Sequence, residues 1–154
     1  ELPVNNILSI LKGSSPSKPL DKLELELTKQ VDDILINNQT PVIYTSRREI
    51  SFSSFEQRLD FGNSLAELMA RLVSRFSSKL GYVISKGGIT THTLLEKGFN
   101  LSRVQLKGQL LSGLSVVSAD LLNEDKDLPI ITFPGNLGTK DTLLLSWKLM
   151  ERLI

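Results

Sequence analysis

Apolar and polar positions along this chain fall into segments with different periods. Leu20, Leu23, Leu27, Val31, Ile34 and Leu35 recur at helical spacing with charged residues between them, which predicts an amphipathic helix ending near Asn37 and Asn38. Before it, Gly13-Ser-Ser-Pro-Ser-Lys-Pro19 reads as a mobile connector that helices and central strands refuse, so Val4 to Leu11 is a short element of its own. Pro41-Val-Ile-Tyr-Thr-Ser46 is a β-branched run that opens after proline and stops at Arg47-Arg48, as a buried strand would. A second helical stripe follows in Leu65, Leu68, Met69, Leu72, Val73, Phe76 and Leu80, with Glu67, Arg71, Arg75 and Lys79 off the stripe. Gly81 stands where a left-handed residue would end that helix, and Tyr82 to Ser85 reads as the next strand. Strand, helix, strand predicts a parallel pair with a right-handed crossover. Val104 to Lys107, Ser115 to Ser118 and Pro129 to Phe133 are further strand candidates, and the acidic stretch Ala119 to Leu128 reads as a solvated connection. Leu143, Leu144, Trp147, Met150 and Ile154 then define a last helix, with Trp147 as a core anchor. The expected fold class is α/β, a layered sheet that is mostly parallel with helices on both faces.

Composition narrows the function. A length of 154 residues suits a single domain, 1–154. No apolar run is long enough to span a bilayer. With 18 basic and 17 acidic residues intermixed, the net charge is +1, so neither nucleic acid nor a membrane surface is an expected partner. The absence of cysteine excludes disulfides and thiolate chemistry and suits a reducing, cytoplasmic setting. The single His92 excludes a multi-histidine metal centre, and no residue is assigned as a metal ligand. The chain begins at Glu1 without a signal-peptide pattern and reads as a piece of something larger.

Candidate chemistry lies in three glycine-containing turns beside predicted strands: Lys86-Gly-Gly-Ile-Thr-Thr91, Gly108-Gln-Leu-Leu-Ser-Gly113 and Pro134-Gly-Asn-Leu-Gly138. Each alone also fits an ordinary tight turn. In an open parallel sheet, however, such loops lie side by side at the strands' carboxyl ends, where ligands collect. Glycine lets backbone approach a phosphate or a flat base, and successive N–H groups can form an anion-binding concavity. Thr90 or Thr91 would cap the following helix or bond a phosphate oxygen, capping being the commoner role. Lys86 would add positive charge or stay solvated. Thr139 and Asp141 would cap the last helix.

Tyr44-Thr-Ser-Arg47, Ser85-Lys-Gly-Gly-Ile-Thr90, Gly108-Gln-Leu-Leu-Ser-Gly-Leu114 and Phe133-Pro-Gly-Asn-Leu-Gly138 occur in the order found in the four-carbon acid sugar kinase family, and the chain resembles that family's carboxyl-terminal nucleotide-binding domain over its whole length. The resemblance implies an α/β domain that binds ATP with Mg²⁺ and pairs with an amino-terminal domain gripping a small-molecule substrate, a threonate- or erythronate-like acid phosphorylated on a hydroxyl. It implies a nucleotide lined by Gly87, Gly88, Thr90, Gln109, Leu111, Ser112, Gly113, Leu114, Gly135, Asn136 and Gly138, with Thr45 to Arg47 at a neighbouring strand end. Ser112 and Ser115 stand where relatives carry proline, so the second turn is expected to be softer, and the connection from it to Phe133 looks short. Asp60, Asp120, Asp125, Asp127 and Asp141 lack the paired partner that a catalytic base needs. The base is therefore expected in the amino-terminal domain, and this segment alone is expected to be inactive. The alternative is a non-catalytic ligand-binding or interaction module that retains the fold. A homo-oligomer stays open.

Overall fold

The computed structural model describes residues 1–13, 16–46, 50–120 and 127–153. The chain divides into two compact units, Glu1–Leu68 and Met69–Ile154.

In the first unit, α1 (Val4–Leu11) and α2 (Ser17–Ile36) match the predicted elements. The connector is shorter than expected, because Pro19 sits in the first turn of α2, where its missing N–H would have had no partner anyway. Asn38 takes φ 53° just past the helix, the left-handed stop that asparagine tolerates. Buried Val4, Ile7, Leu27, Val31 and Phe61 supply apolar contacts. The segment Pro41 to Ser46 is not a strand of the sheet. Its one pairing is an isolated parallel bridge of Thr45 to Leu2, made by Leu2 N–H to the Tyr44 carbonyl at 2.7 Å and Ser46 N–H to the Leu2 carbonyl at 3.2 Å. Alternate side chains Val42 and Tyr44 remain 68% and 51% exposed. A β-branched run with one face left in solvent and, among the described residues, no neighbouring strand beyond that bridge is not built into a sheet, and the expected strand–helix–strand crossover is not formed.

Helix α3 (Phe55–Ser74) begins ten residues before its apolar stripe. Ser54 starts it, accepting from the Gln57 N–H at 3.2 Å while Gln57 Oε1 accepts from Ser53 Oγ at 2.7 Å. This serine with a glutamine three residues on is a capping signal that apolar periodicity does not register. A hydrogen bond from its own backbone, then one from Ser54, holds the Glu56 carboxyl below its ordinary range.

In the second unit, the chain leaves α3 through a 3₁₀ turn, Ser77–Lys79. Gly81 has no left-handed φ, since that turn has already ended the helix. The sheet has four strands, β1 (Val83–Lys86), β2 (Gln105–Leu111), β3 (Leu114–Asp120) and β4 (Asp127–Phe133), in the order β1-β4-β3-β2. Only β1 and β4 are parallel; β2–β3 and β3–β4 are antiparallel. The sheet is therefore mixed, and the expectation of a mostly parallel one is corrected. The reason is local: two residues, Ser112 and Gly113, join β2 to β3, and a connection that short permits only an antiparallel pair. Likewise 119–120 and 127–128 extend β3 and β4, where a solvated loop was expected; 121–126 lie outside the described residues.

Successive β4 residues serve two clusters, as a period of two requires. Leu128 and Ile130 pack with Val117, Leu95 and Phe99, whereas Ile131 and Phe133 pack with Leu114 and Met150. Helix α4 (Gly88–Thr93) continues into a π-helical turn, Leu94–Gly98. Helix α5 (Thr142–Leu153) turns Ser146 and Met150 inward, with Ser146 at 0% exposure. The expected stripe is displaced: Leu143, Leu144 and Trp147 are on the exposed side, Trp147 at 37%. A small serine that satisfies its own hydroxyl on the Thr142 carbonyl, 2.8 Å, lets the helix lie close to its neighbours, and a hydrophobicity pattern reads that position as surface. Ile154 lies outside the described residues. Among the described residues no helix is long and apolar enough to cross a membrane.

Candidate functional site

Strand register decides where the glycine turns fall. Because β1 and β4 are parallel and Lys86 pairs with Phe133, both strands run out at the same end of the sheet. Ser115 pairs with Thr132, so the β2–β3 turn lies at that end too. The three turns are neighbours across it. Gly87 N–H donates to the Phe133 carbonyl at 2.8 Å; a Cβ on Gly135 would lie 3.7 Å from Gly87 Cα, and one on Gly113 would lie 2.8 Å from Leu137 Cδ2.

Lys86 fastens the first and third turns. Its Nζ donates to the Gly135 carbonyl at 2.8 Å and the Pro134 carbonyl at 3.3 Å, and lies 4.1 Å from the centroid of the Phe133 ring. In a trans peptide the carbonyl and the following N–H point in opposite directions, and no peptide bond here is cis. With the Pro134 and Gly135 carbonyls turned to Lys86, the N–H groups of Gly135 and Asn136 point away from it. Among the described residues neither donates to a protein acceptor. The same holds for Gly88, Ile89 and Thr90 at the start of α4, whose first donated bond is Thr91 N–H to the Gly87 carbonyl at 2.9 Å. Five backbone donors thus stand on two adjacent turns without an internal partner.

The glycines divide by what the fold demands of them. Gly87, Gly113 and Gly138 take φ values of 113°, 78° and 89°, which other residues adopt only with strain. Gly88 and Gly135 have no such φ; a Cβ at Gly88 would meet nothing within 4 Å, and one at Gly135 would make only ordinary contact. The fold does not need glycine at these two positions, and within a helix, where Gly88 stands, alanine is intrinsically better. Neither carries a side chain beside the unpartnered donors.

The other expected site residues are distributed unevenly. Ser112 and Gly113 form the hairpin turn, whereas Gln109 and Leu111 belong to β2 itself. The stretch Gly108 to Gly113 is therefore mainly strand, with register shifts at Leu106/Gly108 and Gln109/Leu111, and not a loop following a strand. Ser115, expected to soften it, is a ladder residue of β3. Leu114 is fully buried against Ile131, Phe133 and Met150, so its side chain serves the core. Neither threonine caps α4: Gly87 occupies the cap position, and buried Thr91 donates to Ser85 Oγ at 2.9 Å, tying the helix to β1. Thr90 is half-buried beside Gly87. Before α5, Thr142 Oγ1 accepts from Thr139 N–H at 2.7 Å, and Thr139 Oγ1 from Asp141 N–H at 3.4 Å. Asp127 is paired with Lys107 at 3.2 Å, against the expectation of no partner. Asp60 lies within α3 and Asp120 within β3, not in loops. Thr45 belongs to the first unit; Arg47 and Asp125 lie outside the described residues. Among the described residues no three His, Asp or Glu side chains are grouped to hold a metal ion. One role escapes a sequence reading, that of Lys86 as a fastener of two turns; Ile89, inside the first expected turn, is an apolar side chain 59% exposed beside the free donors.

A sequence profile described as "Nucleotide-binding C-terminal domain" matches residues 12–143. No curated protein matches the chain. Two crystal forms of a Bordetella bronchiseptica protein, described as a domain of unknown function with bound citrate and as a domain-swapped dimer, have a similar fold. One is 16% identical over 80% of this chain with TM-score 0.57, the other 14% identical over 79% with TM-score 0.54. The chain spans 30% of the length of each.

Proposed function

Since the chain belongs to the nucleotide-binding C-terminal domain family, the domain of four-carbon acid sugar kinases to which its motifs pointed, we propose that the glycine turns of the second unit bind the phosphates of ATP. The observation that carries this reading is the pair Gly88 and Gly135: glycines the backbone does not require, flanking five unpartnered N–H groups. A Cβ at either position would stand where a phosphate oxygen must approach. Such donors neutralise charge on a nucleotide's phosphates, Ile89 offers apolar surface to its base or ribose, and Lys86 holds the two turns at a fixed spacing. Mg²⁺ would arrive with the phosphates, which, together with water, commonly supply most of its ligands.

Phosphoryl transfer depends on positioning and charge neutralisation. This chain supplies both for the nucleotide, and the acid substrate and the base that orients its hydroxyl would come from an amino-terminal domain of the same cytoplasmic protein. The activity of that whole protein would be ATP-dependent phosphorylation of a threonate- or erythronate-like acid.

Calorimetric titration of wild type, Gly88→Ala and Gly135→Ala with Mg–ATP and Mg–ADP tests the reading. Both variants should keep the wild-type melting temperature and lose roughly tenfold or more in affinity, the scale of one charge-assisted hydrogen bond. Wild-type affinity in both variants, or no saturable binding by wild type, would overturn it and favour a module that retains the fold without the nucleotide.

A further inference from the structure

A second concavity lies in the same unit, on the flank of α4 and the chain that leaves it. Its volume is about 400 Å³, within the range of small-molecule sites, roughly 300–1,000 Å³. One wall is helical: His92, Leu95 and Glu96 sit at i, i+3 and i+4 on α4 and its π-helical turn. The other wall is the segment Asn100 to Val104 that leads into β2.

Local backbone geometry shapes the hollow. Within the turn, Phe99 N–H donates to the Leu94 carbonyl five residues back, and Leu101 N–H to the Leu95 carbonyl, both at 2.9 Å. Gly98 is tightly packed, since a Cβ would lie 3.1 Å from Leu94 Cδ1 and 3.2 Å from the Ala70 carbonyl oxygen, close enough that these neighbours would have to shift. Asn100 then takes φ 54°, the left-handed stop just past a helical turn that asparagine tolerates, as Asn38 does after α2. A π-helical turn is rare and is found frequently at functional sites.

The lining chemistry is specific. Glu96 Oε2 is 3.3 Å from His92 Nε2, on the helical wall. Arg103, on the opposite wall, has no hydrogen bond or ion pair among the described residues. Asn100 and Ser102 also line the hollow, and its apolar part is Leu95 and Leu101, partly buried and packed against the core cluster of Val117, Leu128 and Ile130. A guanidinium suits a carboxylate, a carboxylate suits a donor, and an apolar floor suits a short hydrocarbon.

From this arrangement we infer that the concavity is a binding site for a small aliphatic carboxylate carrying a hydrogen-bond donor, amine or hydroxyl, next to its carboxyl group. Arg103 takes the carboxylate, Glu96 accepts from the donor, and the hydrocarbon lies on Leu95 and Leu101. This site does not depend on nucleotide binding at the glycine turns.

The test is ¹⁵N NMR titration of the full chain with leucine, 2-hydroxy-4-methylpentanoate and 4-methylpentanoate, with Arg103→Gln and Glu96→Gln as variants. Both side chains are exposed, and circular dichroism confirms that each variant folds. Leucine or the hydroxy acid should produce saturable shifts in the amides of residues 92–104, while 4-methylpentanoate, lacking the donor, binds roughly tenfold more weakly or worse. Which of the first two binds tighter identifies the donor as amine or hydroxyl. Arg103→Gln should weaken binding by a similar factor, and Glu96→Gln should narrow the preference over 4-methylpentanoate. Absence of saturable shifts, equal response to all three compounds, or wild-type affinity in Arg103→Gln would overturn the assignment.

Discussion

Replacing Gly138 by alanine isolates the turn that joins β4 to α5. Gly138 has φ 89°, and an added Cβ would lie 2.7 Å from both Cβ and Oγ1 of Thr142 and 2.9 Å from its Cγ2. Holding alanine in that backbone region costs about 1–3 kcal/mol. Thr142 is β-branched and stiff, so it cannot swing aside without releasing the Thr139 N–H bond to its Oγ1, worth about 1 kcal/mol. Together the expected destabilisation is about 2–4 kcal/mol. Urea denaturation followed by circular dichroism reads it directly, and at roughly 2–4 °C per kcal/mol for a chain of this size the melting temperature should drop by roughly 4–16 °C. Gly88→Ala is the internal control, with open space at its Cβ and no loss expected. A Gly138→Ala variant as stable as Gly88→Ala would show that the turn is not left-handed at this residue, and the distinction between glycines required by the fold and glycines open to a ligand would fail with it.

Lys86→Met should cost about 1–2 kcal/mol through its lost carbonyl bonds and ring contact, and hydrogen exchange at Gly87 N–H, which bonds to Phe133 across the two turns, should accelerate while that of Val117 in the β3 ladder does not; unchanged exchange at Gly87 would contradict the fastening role. Thr91→Val keeps the shape of a buried side chain but strips the Ser85 hydroxyl of its partner, for an expected loss of about 1–2 kcal/mol in chemical denaturation. The double variant Ser85→Ala, Thr91→Val should recover part of that loss, and equal stability of Thr91→Val and wild type would refute the pairing.

The placement of the candidate turns was legible because glycine leaves a strong mark: the three turns stand out in the sequence, and the strand register brings all three to one end of the sheet. Sheet direction was not legible from the same signal. Turns after parallel strands and a two-residue hairpin both use glycine, and only the closeness of Ser112-Gly113 to strands on each side separates them. Helix α5 shows a different limit, since Ser146 is the residue facing inward and its burial depends on a hydrogen bond to its own helix. Pro41 to Ser46 has strand propensity without a partner surface, and propensity yields to packing. The role of Lys86 depends on carbonyl directions almost fifty residues away, which no local pattern encodes.

The strand order carries a consequence for assembly. Strands β2, β3 and β4 follow one another as a meander, whereas β1 joins by pairing Val83 with Ile130, a separation of 130 − 83 = 47 positions. Closing that longer loop costs more entropy than closing the hairpins and is repaid only once β4 presents a formed edge. The meander should therefore fold first and β1 add to it late. The junction of the first and third glycine turns is created by that last pairing, so it should be the final part of the unit to appear on refolding and the first to open when the chain fluctuates.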